Sequence, residues 1–109
     1  MATTYKVLGQ SNPSATTATS LYTVPAATQT IVSTITVCNQ SATAATYRIA
    51  VRVAGAALAA NQYVAYDVSL PGNATDTLTL GVTLGATDVI TVYASTANLS
   101  FNAFGSEIA

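Results

Sequence analysis

The chain has 109 residues, enough for one domain around one core. Charged residues make up only 6% of it and the net charge is −1, against roughly 25% charged residues in ordinary soluble domains. Half of the chain is hydrophobic, which excludes disorder, because disordered chains are apolar-poor and charge-rich. So apolar and uncharged a chain either stays poorly soluble or has much of its surface covered, and we read the missing charge as a mark of assembly.

The start, Met1-Ala2-Thr3-Thr4-Tyr5-Lys6-Val7, has no basic region followed by an apolar stretch, so no signal peptide is expected. Residues 1–20 read as an arm with a short strand at 5–8, and residues 21–109 as the folded domain. A second short strand is expected at 20–24. The next is longer, with Ile31, Ile35 and Val37 on one face and Val32, Thr34, Thr36 and Cys38 on its back. Cys38 is the single cysteine and reads as a small buried residue, with no disulfide possible within the chain.

Residues 46–53 alternate strictly, Tyr47, Ile49, Val51 and Val53 facing one way and Arg48, Ala50 and Arg52 the other. The alanine-rich residues 54–61 read as a loop with room for one helical turn. Alternation resumes at 63–70, with Val64, Tyr66, Val68 and Leu70 on the apolar side and Asp67 and Ser69 opposite. Residues 77–84 follow, bent or bulged at Gly81. Residues 88–94 are apolar on both faces at their centre, and in 99–108 the phase change between Phe101 and Phe104 suggests a bulge near Asn102 or Ala103. Turn residues separate these runs at 11–14, 24–26, 39–41, 71–73 and 85–88. Together they predict an all-β domain, a single antiparallel β-sandwich of jelly-roll or Ig-like type with about seven to eight strands.

Chemistry is scarce. There is no histidine, which removes the commonest general base and the commonest zinc ligand. The remaining titratable candidates, Lys6, Asp67, Asp76, Asp88 and Glu107, show no catalytic spacing, so neither an enzyme nor a small-molecule substrate is expected. Asn73, Asp76 and Asp88 lack the dense acidic pattern of a calcium loop and read as turn and capping residues, so no metal or cofactor is expected. Asn39, Asn73 and Asn98 begin matches to the glycosylation pattern, read as chance in a Ser/Thr-rich chain.

With Lys6, Arg48 and Arg52 as the only basic residues, nucleic acid is not an expected partner. No run of about 18 apolar residues suggests a membrane helix, so no membrane partner is expected either. Arg48 and Arg52 share one strand face, where they would either be solvated or clamp a partner's carboxylate. Tyr63 lies on the less apolar side of its strand and is the aromatic best placed for a partner or a sugar. Arg48, Arg52 and Tyr63 are therefore the candidate partner-binding residues.

Several segments, in order, carry a likeness: Leu21-Tyr22-Thr23-Val24-Pro25-Ala26, Ser33-Thr34-Ile35-Thr36-Val37-Cys38-Asn39, Arg48-Ile49-Ala50-Val51, Tyr66-Asp67, Asp88-Val89-Ile90-Thr91-Val92-Tyr93-Ala94, and Phe101-Asn102-Ala103-Phe104-Gly105-Ser106-Glu107-Ile108. They resemble small virion structural proteins of tailed bacteriophages, including those infecting cyanobacteria. The resemblance implies a β-sandwich on the phage particle, as a capsid decoration (cement) protein or in the tail or baseplate, and it brings no catalytic residues. The leading expectation is a non-enzymatic decoration protein, made in the host cytoplasm and located in the virion. It would be a homo-oligomer, with a trimer the expected unit, contacting the major capsid protein or other virion proteins. The alternative is a tail or baseplate component, or a fibre module binding a host-surface glycan or protein.

Overall fold

The computed structural model describes residues 2–109. They form nine strands: β1 (Thr3–Ser11), β2 (Thr19–Thr23), β3 (Gln29–Asn39), β4 (Ala45–Arg52), β5 (Tyr63–Leu70), β6 (Thr75–Leu78), β7 (Val82–Leu84), β8 (Val89–Ala94) and β9 (Leu99–Ile108). Two short 3-10 turns, Val53–Gly55 and Ala60–Gln62, lie between β4 and β5, where the alanine-rich loop was expected.

The strands make two antiparallel sheets, one ordered β1-β9-β3-β6 with β7 also on β3, the other β2-β8-β4-β5. Thus β1 pairs with β9, β2 with β8, β3 with β6 and β7, and β4 with β5. The chain pairs from both ends inward. With β6 and β7 counted as one interrupted strand, this is an eight-stranded jelly roll, which resolves the choice between the two sandwich types. The interruption falls at residues 79–81, where Gly81 takes a φ of 63°, a conformation open to glycine at little cost.

The core lies between the sheets. Tyr47, Ile49, Ile90, Val92, Leu99 and Phe101 are fully buried there, and Tyr47 meets Phe101 edge-on with ring centroids 6.1 Å apart. Burying a side chain of this size stabilises the fold by about 1.5–3 kcal/mol. β8 is buried along nearly its whole length because it is an internal strand whose outer side is partly covered, which is why its sequence is apolar on both faces.

Bulges in β1, β2, β3 and β5 change which residues point inward, that of β2 lying between Ser20 and Tyr22. Opposite β9, β3 carries an extra residue at Ser33, so Val32 is buried and Ile31 exposed, reversing the expected facing of both. β5 has extra residues opposite β4, with shifts at Tyr47/Ile49 and Ile49/Ala50. Val64 and Tyr66 therefore point to solvent, against the expectation that they would share the apolar side with Val68 and Leu70. At β1 the shift falls between Val7 and Gly9. β9 itself keeps one phase, with Leu99, Phe101 and Ala103 buried and Phe104 on the outside. The expected bulge near Asn102 or Ala103 is absent; the partners β1 and β3 bulge instead.

The N-terminal region also differs from expectation. The strand expected at 5–8 is the nine-residue β1, paired along β9, so the sandwich begins at Thr3. Met1, which opens the expected arm of residues 1–20, lies outside the described residues. At the same pole the Ala2 amide donates to the Ala109 carbonyl at 2.7 Å and the Ala109 amide to the Ala2 carbonyl at 2.9 Å.

Candidate functional site

The outer face of the β2-β8-β4-β5 sheet gathers an aromatic and charged cluster. Arg48, in β4, stands opposite Tyr93 of β8 and beside the β5 bulge at Tyr66 and Asp67. Its Nε donates to Asp67 Oδ1 at 2.6 Å and its Nη2 to Oδ2 at 3.3 Å. The guanidinium lies 4.2 Å from the Tyr66 ring centroid and 4.4 Å from that of Tyr93, within cation–π range of both. The bond to Asp67 is the main cause that raises the already high pKa of Arg48. Asp67 reaches this geometry through a φ of 50°, a left-handed conformation that Asp tolerates better than most residues.

Tyr66 is 57% exposed and meets Tyr63 edge-on, the centroids 4.9 Å apart. An open groove of about 570 Å³ runs beside this pair, lined by Leu58, Ala59, Ala60, Tyr63 and Tyr66. Its far wall is the segment between β4 and β5, folded across the sheet. Arg52 fixes that segment: Nε donates to the Ala56 carbonyl at 2.7 Å and Nη2 to the Gly55 carbonyl at 2.9 Å. Gln62 adds two bonds, accepting from the Ala59 amide and donating to the Ala57 carbonyl.

The other sheet presents a different outer face. Strand register places Tyr5 and Val7 of β1, Asn102, Phe104 and Ser106 of β9, and Ile31, Thr34 and Thr36 of β3 on one side, with Thr77 of β6 and Thr83 of β7 beyond them. Among the described residues of this face none is charged. Four are exposed apolar groups: Tyr5 at 83%, Val7, Ile31 and Phe104. Cys38 belongs to this outer side, opposite Ser100 and Thr75, and is half-buried, not the core residue expected.

The carboxylates are dispersed and each is engaged. Asp67 holds Arg48. Asp76 accepts from the buried Tyr47 hydroxyl at 2.9 Å, and burial first, then this bond, pushes the Tyr47 pKa above the ordinary tyrosine value. Asp88 accepts from the Ala54 and Gly85 amides, the capping role expected of it. Glu107 accepts from Tyr22 at 2.5 Å and pairs with Lys6 at 3.3 Å. The Tyr22 bond is the main cause that lowers the Glu107 pKa, with Lys6 adding to it.

Of the three candidate residues, Arg48 and Tyr63 fall in one cluster, linked through Tyr66. Arg52 does not join them; it donates to the Ala56 and Gly55 carbonyls and, at 3.4 Å, to Thr91 Oγ1 of β8. Tyr66 and Tyr93 were missed as members. Tyr93 was visible as the outward residue of a strand opposite Arg48, whereas Tyr66 was hidden by the bulge. Asn39, in one of the glycosylation-like triplets, is 1% exposed. Comparison with protein-family models, curated proteins and solved structures finds no match to this chain.

Proposed function

We propose that the chain is a non-enzymatic structural subunit of a tailed-phage virion, a capsid decoration protein that packs against neighbours through the outer face of its β1-β9-β3-β6 sheet. The observation that carries this reading is the segregation of charge: the described residues of that face are apolar or uncharged polar groups only. Burying it costs no ion desolvation, and repeated copies suffer no like-charge repulsion.

Its size suits the task. The 11-residue β3 spans about 36 Å, and four strand rows about 19 Å, giving roughly 700 Å². A standard interface buries about 800 Å² per partner. Jelly rolls build viral shells and also lectins; this is an analogy of fold, and the face carries the argument. The subunit associates with itself, in threes on the present reading, and bridges major capsid protein or other virion proteins, stabilising the shell by contact area.

Two measurements test it. Sedimentation of the purified chain should show an oligomer that Ile31→Lys with Phe104→Lys converts to a folded monomer. Particles lacking the protein should break at lower temperature or milder osmotic shock than complete ones. A wild-type chain that remains monomeric at high concentration and binds no particle component overturns the proposal.

A further inference from the structure

We propose that the groove beside Tyr63 and Tyr66 binds a neutral pyranose. The inference concerns the opposite sheet from the assembly face and does not rest on the virion reading. Three observations carry it: the shape and lining of the groove, its charge balance, and the free hydroxyls at its rim.

The groove's volume, about 570 Å³, falls in the range of about 300–1,000 Å³ common to small-molecule sites. Its lining is aromatic and aliphatic, suited to the C–H faces of a sugar ring. Of the charges nearby, Arg48 and Asp67 neutralise each other in a two-bond pair, and Arg52, behind the opposite wall, donates to the Ala56 and Gly55 carbonyls and to Thr91 Oγ1. A cation would find no free carboxylate here and an anion only a guanidinium already bonded to neutral oxygens, whereas a neutral ligand meets no charge penalty.

The buried tyrosines of this chain have hydrogen-bonded phenols: Tyr22 on Thr30 and Glu107, Tyr47 on Asp76. Among the described residues the Tyr63 and Tyr66 hydroxyls have no such side-chain partner, so two donor–acceptor groups stand free at the edge of an apolar surface. That combination matches a polyol with an apolar face better than it matches a peptide strand. A peptide would add to the outer edge of β5, but the extra residues at this strand break the ladder it would need.

The site is also preorganised. Arg48 packs on the Tyr66 ring, and Arg52 and Gln62 pin the opposite wall, so little ordering remains to be done on binding.

The test is an amide NMR titration of the full chain with neutral oligosaccharides of glucose, galactose, mannose and N-acetylglucosamine, beside a sialylated and a sulfated sugar. At least one neutral oligosaccharide should give saturable shifts at Tyr63, Tyr66 and residues 58–60, insensitive to added salt. Tyr66→Ala should weaken binding by about tenfold or more, and Ala60→Arg, which fills the groove from an exposed loop position, should abolish it. Tyr5→Ala on the opposite sheet should bind as the wild type does. The proposal is overturned if no neutral sugar gives saturable shifts there, if Ala60→Arg binds normally, or if only the acidic sugars bind with strong salt dependence.

Discussion

Gly105 of β9 lies directly against the carbonyl of Ile31 on β3: a β-carbon at position 105 would overlap that oxygen and press on the Val32 Cα. The contact sits beside the Ser33 bulge, where the two strands are drawn together and Ser33 Oγ donates to the Phe104 carbonyl. Because the obstructing atoms are backbone, no rotamer change relieves the clash. Gly105→Ala should destabilise the domain by about 1–3 kcal/mol, seen as a lower urea midpoint with an unchanged slope. An unchanged midpoint would mean that the sheet opens there at no cost.

High pH should unfold the protein through two tyrosines. Burial, then the bond to Glu107, pushes Tyr22 from 10.0 up to about 12, and Tyr47 is raised as well. A folded-state pKa above the unfolded value means that the folded chain holds its proton where the unfolded chain releases it. The stabilisation is thus fully present below pH 10 and lost as pH rises toward 12 and beyond. Phenolate absorbance, compared with that of Tyr22→Phe and Tyr47→Phe variants, should show Tyr22 and Tyr47 ionising only with loss of circular dichroism. Ionisation of Tyr22 and Tyr47 near pH 10 without unfolding would contradict this.

Asn39 closes β3 by tying three segments together. Its amide nitrogen donates to the Thr43 carbonyl at 2.9 Å and more weakly to those of Leu70 and Pro71, while its oxygen accepts from the Ser41 amide at 3.0 Å. Truncation leaves buried backbone groups unsatisfied, so Asn39→Ala should cost about 3 kcal/mol. Asn98→Ala, at an exposed loop position, should stay within about 0.5 kcal/mol in the same melt. Equal melting of the two variants would remove the assigned role of Asn39.

Arg52 is expected to act locally. Arg52→Met keeps the aliphatic stem and removes the donors to Gly55 and Ala56, together with a long side-chain bond to Thr91 that spares the β8 backbone ladder. Hydrogen exchange should then quicken at residues 53–62 and leave β8 and β9 as protected as before. Protection that falls evenly across the whole domain would show instead that the bonds sustain global stability.

Strict alternation made β4 legible from residue types alone, a short run apolar on both faces did the same for β8, and turn residues marked most of the connections. Where reading failed, the cause was one extra residue. At Ser33, and again at Val64 and Asp67, a bulge reverses the side-chain parity of everything beyond it, and neither Ile31 nor Tyr66 carries a mark of which side it takes. Asp67 offered a faint hint, since Asp is among the side chains that accept a positive φ. For the aromatic cluster, Arg48 and Tyr63 were identifiable as outward residues. Their meeting depends on the fold of residues 53–62, which composition described only as a loop, and on bonds spent by Arg52 that no spacing foretells.

The reciprocal bonds between Ala2 and Ala109 place the beginning and the end of the domain side by side. Any polypeptide appended to either one departs from the same corner, leaving both broad sides unobstructed. A short glycine linker should therefore join them into a closed ring, and new openings cut at exposed turns such as residues 85–88 would give permuted versions with the same eight-row wrapping. In such a scaffold, cargo and anchor are attached together at one tip.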